Sequence, residues 1–298
     1  QDPLERARIR DFAFDWLHKE HPGANVESIP VRVVAIDDRS LEELGQWPWP
    51  RIALAAIVDK LTALGARVIV LDLILAEQDR TSPDVVKQYW QRNPKLDELL
   101  KSLPSHDDIL AASFARSRVV AGVQAYNSDT HKPLPQRKTG IAVDGGDIAS
   151  WVRTWSDGTG YYPPLVDSAM GAGVVTMVPD HDGILRSMPL VSALGDDQSL
   201  YPSLALEALR VYLGSSELLA KSASSQEADW FQQPGIKGIQ VGRAAYVPTS
   251  PEARVWLHMR PKSEDRYVSA IDILDGKVEP KRIKDHIVVI GAKSVGLG

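Results

Sequence analysis

The sequence predicts an α/β fold: a doubly wound mixed sheet with a parallel core and helices on both faces, one domain with irregular insertions. Three observations predict it. An apolar run at Val33 to Ile36 is followed by a helix-patterned segment, Arg51 to Leu64, and then by a second apolar run, Val68 to Leu71. Both runs are continuous and not alternating, as in strands buried on two faces of a parallel sheet. The order strand, helix, strand repeats further on, and a right-handed βαβ crossover lays its two strands in the same sense.

The first element is a helix from Leu4 to Lys19, in which Leu4, Ile9, Phe12, Trp16 and Leu17 punctuate a charged segment containing Arg6, Arg8, Arg10 and Asp11. The favoured reading is an amphipathic helix packed on the domain, with a helix lying on a membrane surface as the alternative. Pro22-Gly23 ends it, so residues 1–24 form this helix and 25–298 the main body. The first strand ends in Asp37-Asp38 and leads into Trp47-Pro48-Trp49-Pro50-Arg51. Each proline fixes its own φ and pushes the preceding residue out of the helical region, so the next helix starts at or after Pro50. Leu54, Ile57, Val58, Leu61 and Leu64 share its apolar face, and Gly65 closes it.

The second strand ends at Asp72. With both strands pointing the same way, Asp37, Asp38 and Asp72 emerge at the carboxyl edge of the sheet, where open α/β sheets bind ligands. The rigid aromatic loop adds Trp47, Trp49 and Arg51, and Glu77 follows the second strand. These seven residues are the candidate ligand-binding site. Two indoles beside carboxylates suit a cationic or planar ligand through stacking and cation–π attraction. Structurally, the tryptophans plug the top of the sheet with Arg51 stacked on a ring, and one aspartate caps the next segment, where Ser40 and Glu43 form a capping-box pattern.

Beyond Glu77, helix starts are signalled at Ser82-Pro83, Asn93-Pro94 and Ser105 with Asp108. A helix from Asp107 to Ser117 feeds a strand at 118–124. From Tyr126 to Tyr162 periodicity vanishes, and the segment is expected to be a lid or an irregular hairpin anchored by Trp151 and Trp155. Strands at 171–176 and 184–194 flank a Pro-Asp-His-Asp-Gly turn, which lacks the further oxygen ligands of a calcium loop. A helix follows at 204–213, stopped by Gly214, then a polar loop at 215–238. Short strands at 239–241, 244–247 and 254–257, a helix at 269–274 and a closing strand at 286–290 complete the chain.

Composition narrows the function. A net charge of −5 with no basic stripe argues against nucleic acid. The absence of cysteine excludes disulfides, thiolate metal sites and cysteine catalysis. The glycines at 291 and 296 are not followed by the lysine of a phosphate-binding P-loop, and neither a Gly-x-Ser-x-Gly elbow nor a His-Glu-x-x-His helix occurs. No catalytic residue, cofactor or metal is therefore assigned. No stretch reaches the ~20 apolar residues of a membrane span.

Five stretches together resemble one family. They are Ile-Asp-Asp-x-Ser-Leu at 36–41, Gly-x-Trp-Pro-Trp-Pro-Arg at 45–51, a Gly-Ala turn into a strand ending in Asp at 65–72, Pro-Asp-x-Asp-Gly before an Arg at 179–186, and Ile-Gly-Ala with Gly-Leu-Gly at 290–298. They match, in order, the second type of CHASE domain, the extracellular sensory domains of cyclases and histidine kinases. The resemblance implies a periplasmic sensor of an unknown small ligand or ion, in a bacterial inner-membrane receptor with a membrane helix before it and several after. It also implies a homodimeric full-length receptor and a cytoplasmic output enzyme, adenylate or guanylate cyclase first, with histidine kinase, diguanylate cyclase or serine/threonine kinase as the other outputs. The chain opens on Gln1 and stops directly after a core strand, and it is expected to be a piece of such a receptor. Two other classes stay open: a metal-dependent hydrolase using the strand-end aspartates, and a dimerisation or protein-interaction module without a small ligand.

Overall fold

The computed structural model describes residues 3–21, 29–89, 94–129, 133–146, 148–223, 234–260 and 263–293, with side chains from Arg8 onward. Six parallel strands make the main sheet: β1 (Val31–Ile36), β2 (Val68–Leu71), β3 (Val119–Tyr126), β4 (Gly171–Val174), β5 (Tyr267–Ser269) and β6 (Ile287–Ala292). Their order is β5-β1-β6-β2-β3-β4. A short strand, Asp157–Thr159, runs antiparallel to the end of β3 and makes the sheet mixed.

The helices that shape the site are α1 (Pro3–Glu20), α2 (Asp38–Leu44), α3 (Arg51–Ala63), α4 (His106–Ala115), α5 (Leu204–Leu213) and α6 (Ala270–Leu274). The period of two along β2 divides the core between two layers. Ile69 and Leu71 pack with Leu54, Ile57 and Leu61 of α3 and Phe114 of α4, while Val68 and Val70 meet Ala208 and Val211 of α5. Helices thus cover both faces, as the continuous apolar runs predict.

One expectation about the sheet is corrected. β1 and β2 run in the same sense but are not neighbours, because β6, the last strand of the chain, inserts between them. A strand arriving from some 220 residues downstream leaves no mark in the local βαβ pattern. α3 begins at Arg51, directly after Pro50, and Gly65 takes φ +84 just beyond its end, a conformation only glycine adopts without strain.

Among the described residues the insertions form three smaller sheets. The described residues of the 126–162 segment are not a free lid. Ile141–Asp144 pairs with Leu218–Ala223, Arg153–Trp155 with Val191–Leu194, and Asp157–Thr159 with β3, so ladder hydrogen bonds tie the segment to three sheets. Trp151 and Trp155 do anchor it, each packed on a different apolar cluster. The expected loop at 215–238 holds two strands, Leu218–Ala223 and Gly235–Val241, paired antiparallel. The expected strand at 184–194 is two, broken at Leu190, whose N–H donates to Ala253 and whose carbonyl accepts from Ser203.

α1 reverses expectation. Ile9, Phe12, Trp16 and Leu17 are all more than half exposed, whereas Asp11, Phe14 and His18 are turned toward the body. The helix docks through polar and aromatic contacts and leaves its apolar stripe outward.

Candidate functional site

The rim formed by the carboxyl ends of the strands carries all seven candidate residues, but it does not gather them into one pocket. Asp37 is the N-cap of α2: its carboxylate accepts from Ser40 N–H at 3.0 Å, Ser40 Oγ at 2.6 Å and Ser269 Oγ at 2.9 Å. Burial works against its charge, yet these donors outweigh burial and hold its carboxyl below the usual range. The cap is therefore Asp37 with Ser40 as its donor, in place of the capping box read at Ser40 and Glu43. Asp38 lies in the exposed first turn of α2, where an acid suits the helix dipole. Arg39 bonds Asp272 of α6 at 3.0 Å.

Trp47, Trp49, Arg51 and Glu77 do come together, lining a hollow of about 390 Å³ with Asp79 and Arg80. Trp49 is the plug: it is fully buried among Leu54, Leu71 and Leu75, and its indole N–H donates to Gly45 O at 2.8 Å. Trp47, half-buried, meets it edge-on with ring centres 5.6 Å apart. Arg51 does not stack on either ring. Its guanidinium reaches Glu77 O at 3.2 Å and lies 3.5 Å from Asp107, while its backbone N–H, the first of α3, donates to Asp79 at 2.6 Å.

Behind this hollow lies a buried polar knot. Asp79 also accepts from Thr81 N–H and Oγ1, both at 2.8 Å, and His106 Nδ1 sits 3.1 Å from its other oxygen. Asp79 N–H in turn donates to Asp107 at 2.9 Å. Burial opposes ionisation of Asp79, but the donors from Arg51 and Thr81 win and its carboxyl is held low. At Asp107 burial prevails over the Asp79 N–H and the Arg51 charge, and the carboxyl is pushed up. Asp79, His106 and Asp107 were missed from sequence. Their only signal was the polar stretch after Glu77 and the helix start at Ser105.

Asp72 stands apart. It extends the Val68 and Val70 side of β2, so it belongs to the α5 face, across the sheet from the tryptophans. With β6 between β1 and β2, Asp72 lies level with Ala35 two strands away, roughly 9–10 Å across the sheet, and Asp37 lies two residues further along. Among the described residues, no group of three His, Asp or Glu is gathered to hold a metal ion.

The turn after Pro179 has a role that the sequence did not reveal. Gly183 N–H donates to Asp180 O, and Asp180 N–H to Ile184 O, closing an ordinary β-turn. The side chains of that turn grip Arg186, which bonds Asp182 through Nη1 at 2.9 Å and Nη2 at 2.7 Å and lies 3.4 Å from Asp180. The same guanidinium crosses to α1 and makes a bidentate pair with Asp15, at 2.8 and 2.7 Å. Hydrogen bonds from Arg186 hold both Asp15 and Asp182 below the ordinary carboxylate range. Phe14 packs on Trp256 with ring centres 4.6 Å apart, Arg10 lies 5.2 Å over the same indole, and His18 Nε2 is 2.7 Å from Met259 O. The turn and Arg186 are a clamp on the N-terminal helix.

The CHASE2 domain family model matches residues 2–298, essentially the whole chain. The chain belongs to that family, whose members are extracellular sensory domains found in cyclase and kinase receptors. No curated protein and no solved structure matches it significantly. Among the described residues no helix is long and apolar enough to cross a membrane. The closing Gly-Leu-Gly lies outside the described residues.

Proposed function

We propose that the chain is the periplasmic sensor of a bacterial inner-membrane receptor that controls a cytoplasmic adenylate or guanylate cyclase. The family match supports the sensor reading, and the clamp supports its route of transmission: Arg186, buried, joins the turn at 180–183 to Asp15 of α1. In this account a membrane span precedes α1, and residues 25–298 form the sensing body. A small ligand or ion held in the body, as in the rim hollow, favours one arrangement of body and helix over another. That population shift is the signal. The outward stripe of Ile9, Phe12 and Trp16 supports pairing of two copies in the receptor, since an apolar helix face of this kind is stable when covered.

The test is to assay membranes bearing the full-length receptor for cyclic nucleotide formation from ATP and GTP. Formation of either product supports the cyclase output. Phosphotransfer without cyclic nucleotide would replace it with a kinase, and diguanylate formation with a diguanylate cyclase.

A further inference from the structure

On the α5 face of the sheet lies a cavity of about 460 Å³, within the size range of small-molecule sites. Its floor is the outer side of the main sheet, Val31, Val70 and Val289, and its roof is the first turns of α5 at Ala205 and Ala208. Met177 and Met188 form part of the wall, adaptable side chains that suit a variable apolar guest. The hydroxyls in the lining are largely engaged: Thr176 Oγ1 serves the Ala125 backbone on both sides, and Ser203 caps α5. One charged side chain faces this space, Asp72.

That carboxylate differs from four other acids of the domain. Asp37, Asp79, Asp107 and Asp182 each accept two or more donors or face an arginine. Among the described residues Asp72 meets neither a hydrogen-bond donor nor a cation, and nearby protein atoms push its carboxyl up with nothing opposing. The strand alternation fixes it there, on the side of Val68 and Val70. A partly screened carboxylate that no protein group occupies keeps its acceptor capacity free for a bound cation. The residue is exposed on its solvent side, so a cation can reach it while an apolar tail lies over the valines.

We propose that this cavity binds a small apolar ammonium compound, its hydrocarbon body on the sheet face under α5 and its cation on Asp72. This deepens the sensor reading by naming a class of stimulus, and it rests on that reading only for its consequence in the receptor. An anionic head would meet repulsion from Asp72, and a neutral one would gain nothing from its charge.

The probes are phenethylamine, 2-phenylethanol and 3-phenylpropionate, titrated calorimetrically into this chain. Phenethylamine is expected to bind at least tenfold more tightly than the alcohol, with no detectable binding of the carboxylate. Asp72→Asn should remove the amine's advantage and leave the alcohol unchanged. Ala205→Phe, which fills the cavity from an exposed position, should abolish both; its circular dichroism and melting confirm that it folds. Equal affinities of amine and alcohol for the wild type, or an unchanged amine affinity in Asp72→Asn, overturn the site. If amines bind as described but leave receptor output unchanged, the site stands and its link to sensing falls.

Discussion

Asp15→Asn isolates the helix clamp, because it removes one charge while leaving Arg186 buried and paired with Asp182. Asp15 is about half exposed, and an ion pair so screened is worth on the order of 1 kcal/mol. Phe14 on Trp256 adds about 1 kcal/mol, and Arg10 over the same ring about half that. Docking of α1 is therefore a matter of a few kcal/mol, and losing the Asp15 pair should raise the undocked population roughly fivefold. Native-state hydrogen exchange reads this directly. Amides of residues 8–20 should lose about fivefold in protection, while those of β1, β2 and β6 and the global unfolding midpoint stay as in the wild type. Unchanged protection in α1, or loss spread over the whole body, would refute the clamp.

Acid should release the same helix. Arg186 depresses the carboxyls of Asp15 and Asp182, so their contribution is complete above the unfolded value near 3.8 and is lost as pH falls below it; α1 protection followed between pH 6 and 2 checks this. Trp49→Ala should cost about 3–5 kcal/mol in denaturant unfolding, since it empties a fully buried indole site. Arg51→Met keeps the backbone N–H that serves Asp79 but leaves Asp107 buried without its cation, and should cost about 3 kcal/mol at neutral pH. That loss should shrink as pH falls, because protonating the raised Asp107 relieves it. Gly173→Ala should destabilise by roughly 1–3 kcal/mol, because a Cβ would lie 2.7 Å from backbone atoms of Ser203 and Leu204, where β4 meets α5.

What the sequence made legible follows the range of the interactions. α3 was readable because Pro50, its apolar face and Gly65 act within a few residues of one another. Helix starts at Pro83, Pro94 and His106 were readable for the same reason. The insertion of β6 between β1 and β2 was not, since pairing depends on partners far apart in sequence. The hairpin at Leu218–Ala223 and Gly235–Val241 was hidden by polar residues such as Lys221 and Gln240, which sit among buried Ala220 and Ile239. That one aspartate caps the next helix and one tryptophan plugs the sheet was readable from local chemistry; that these are Asp37 and Trp49 was not. Grouping Asp72 with the tryptophans failed on parity: a strand-end residue takes its face from the pleat, and β2 turns Asp72 toward α5. The polar turn at Asp180 to Gly183 carried no sign that Asp15, some 170 residues earlier, would complete it.

Transmission of the signal through the clamp is tested most directly in the intact receptor. Its output should be measured with wild-type Asp15 and with Asp15→Asn, at equal membrane expression. The account predicts a shifted basal output in Asp15→Asn and a weakened response to any stimulus that regulates the wild type. Identical basal output and identical regulation in the two proteins would contradict it.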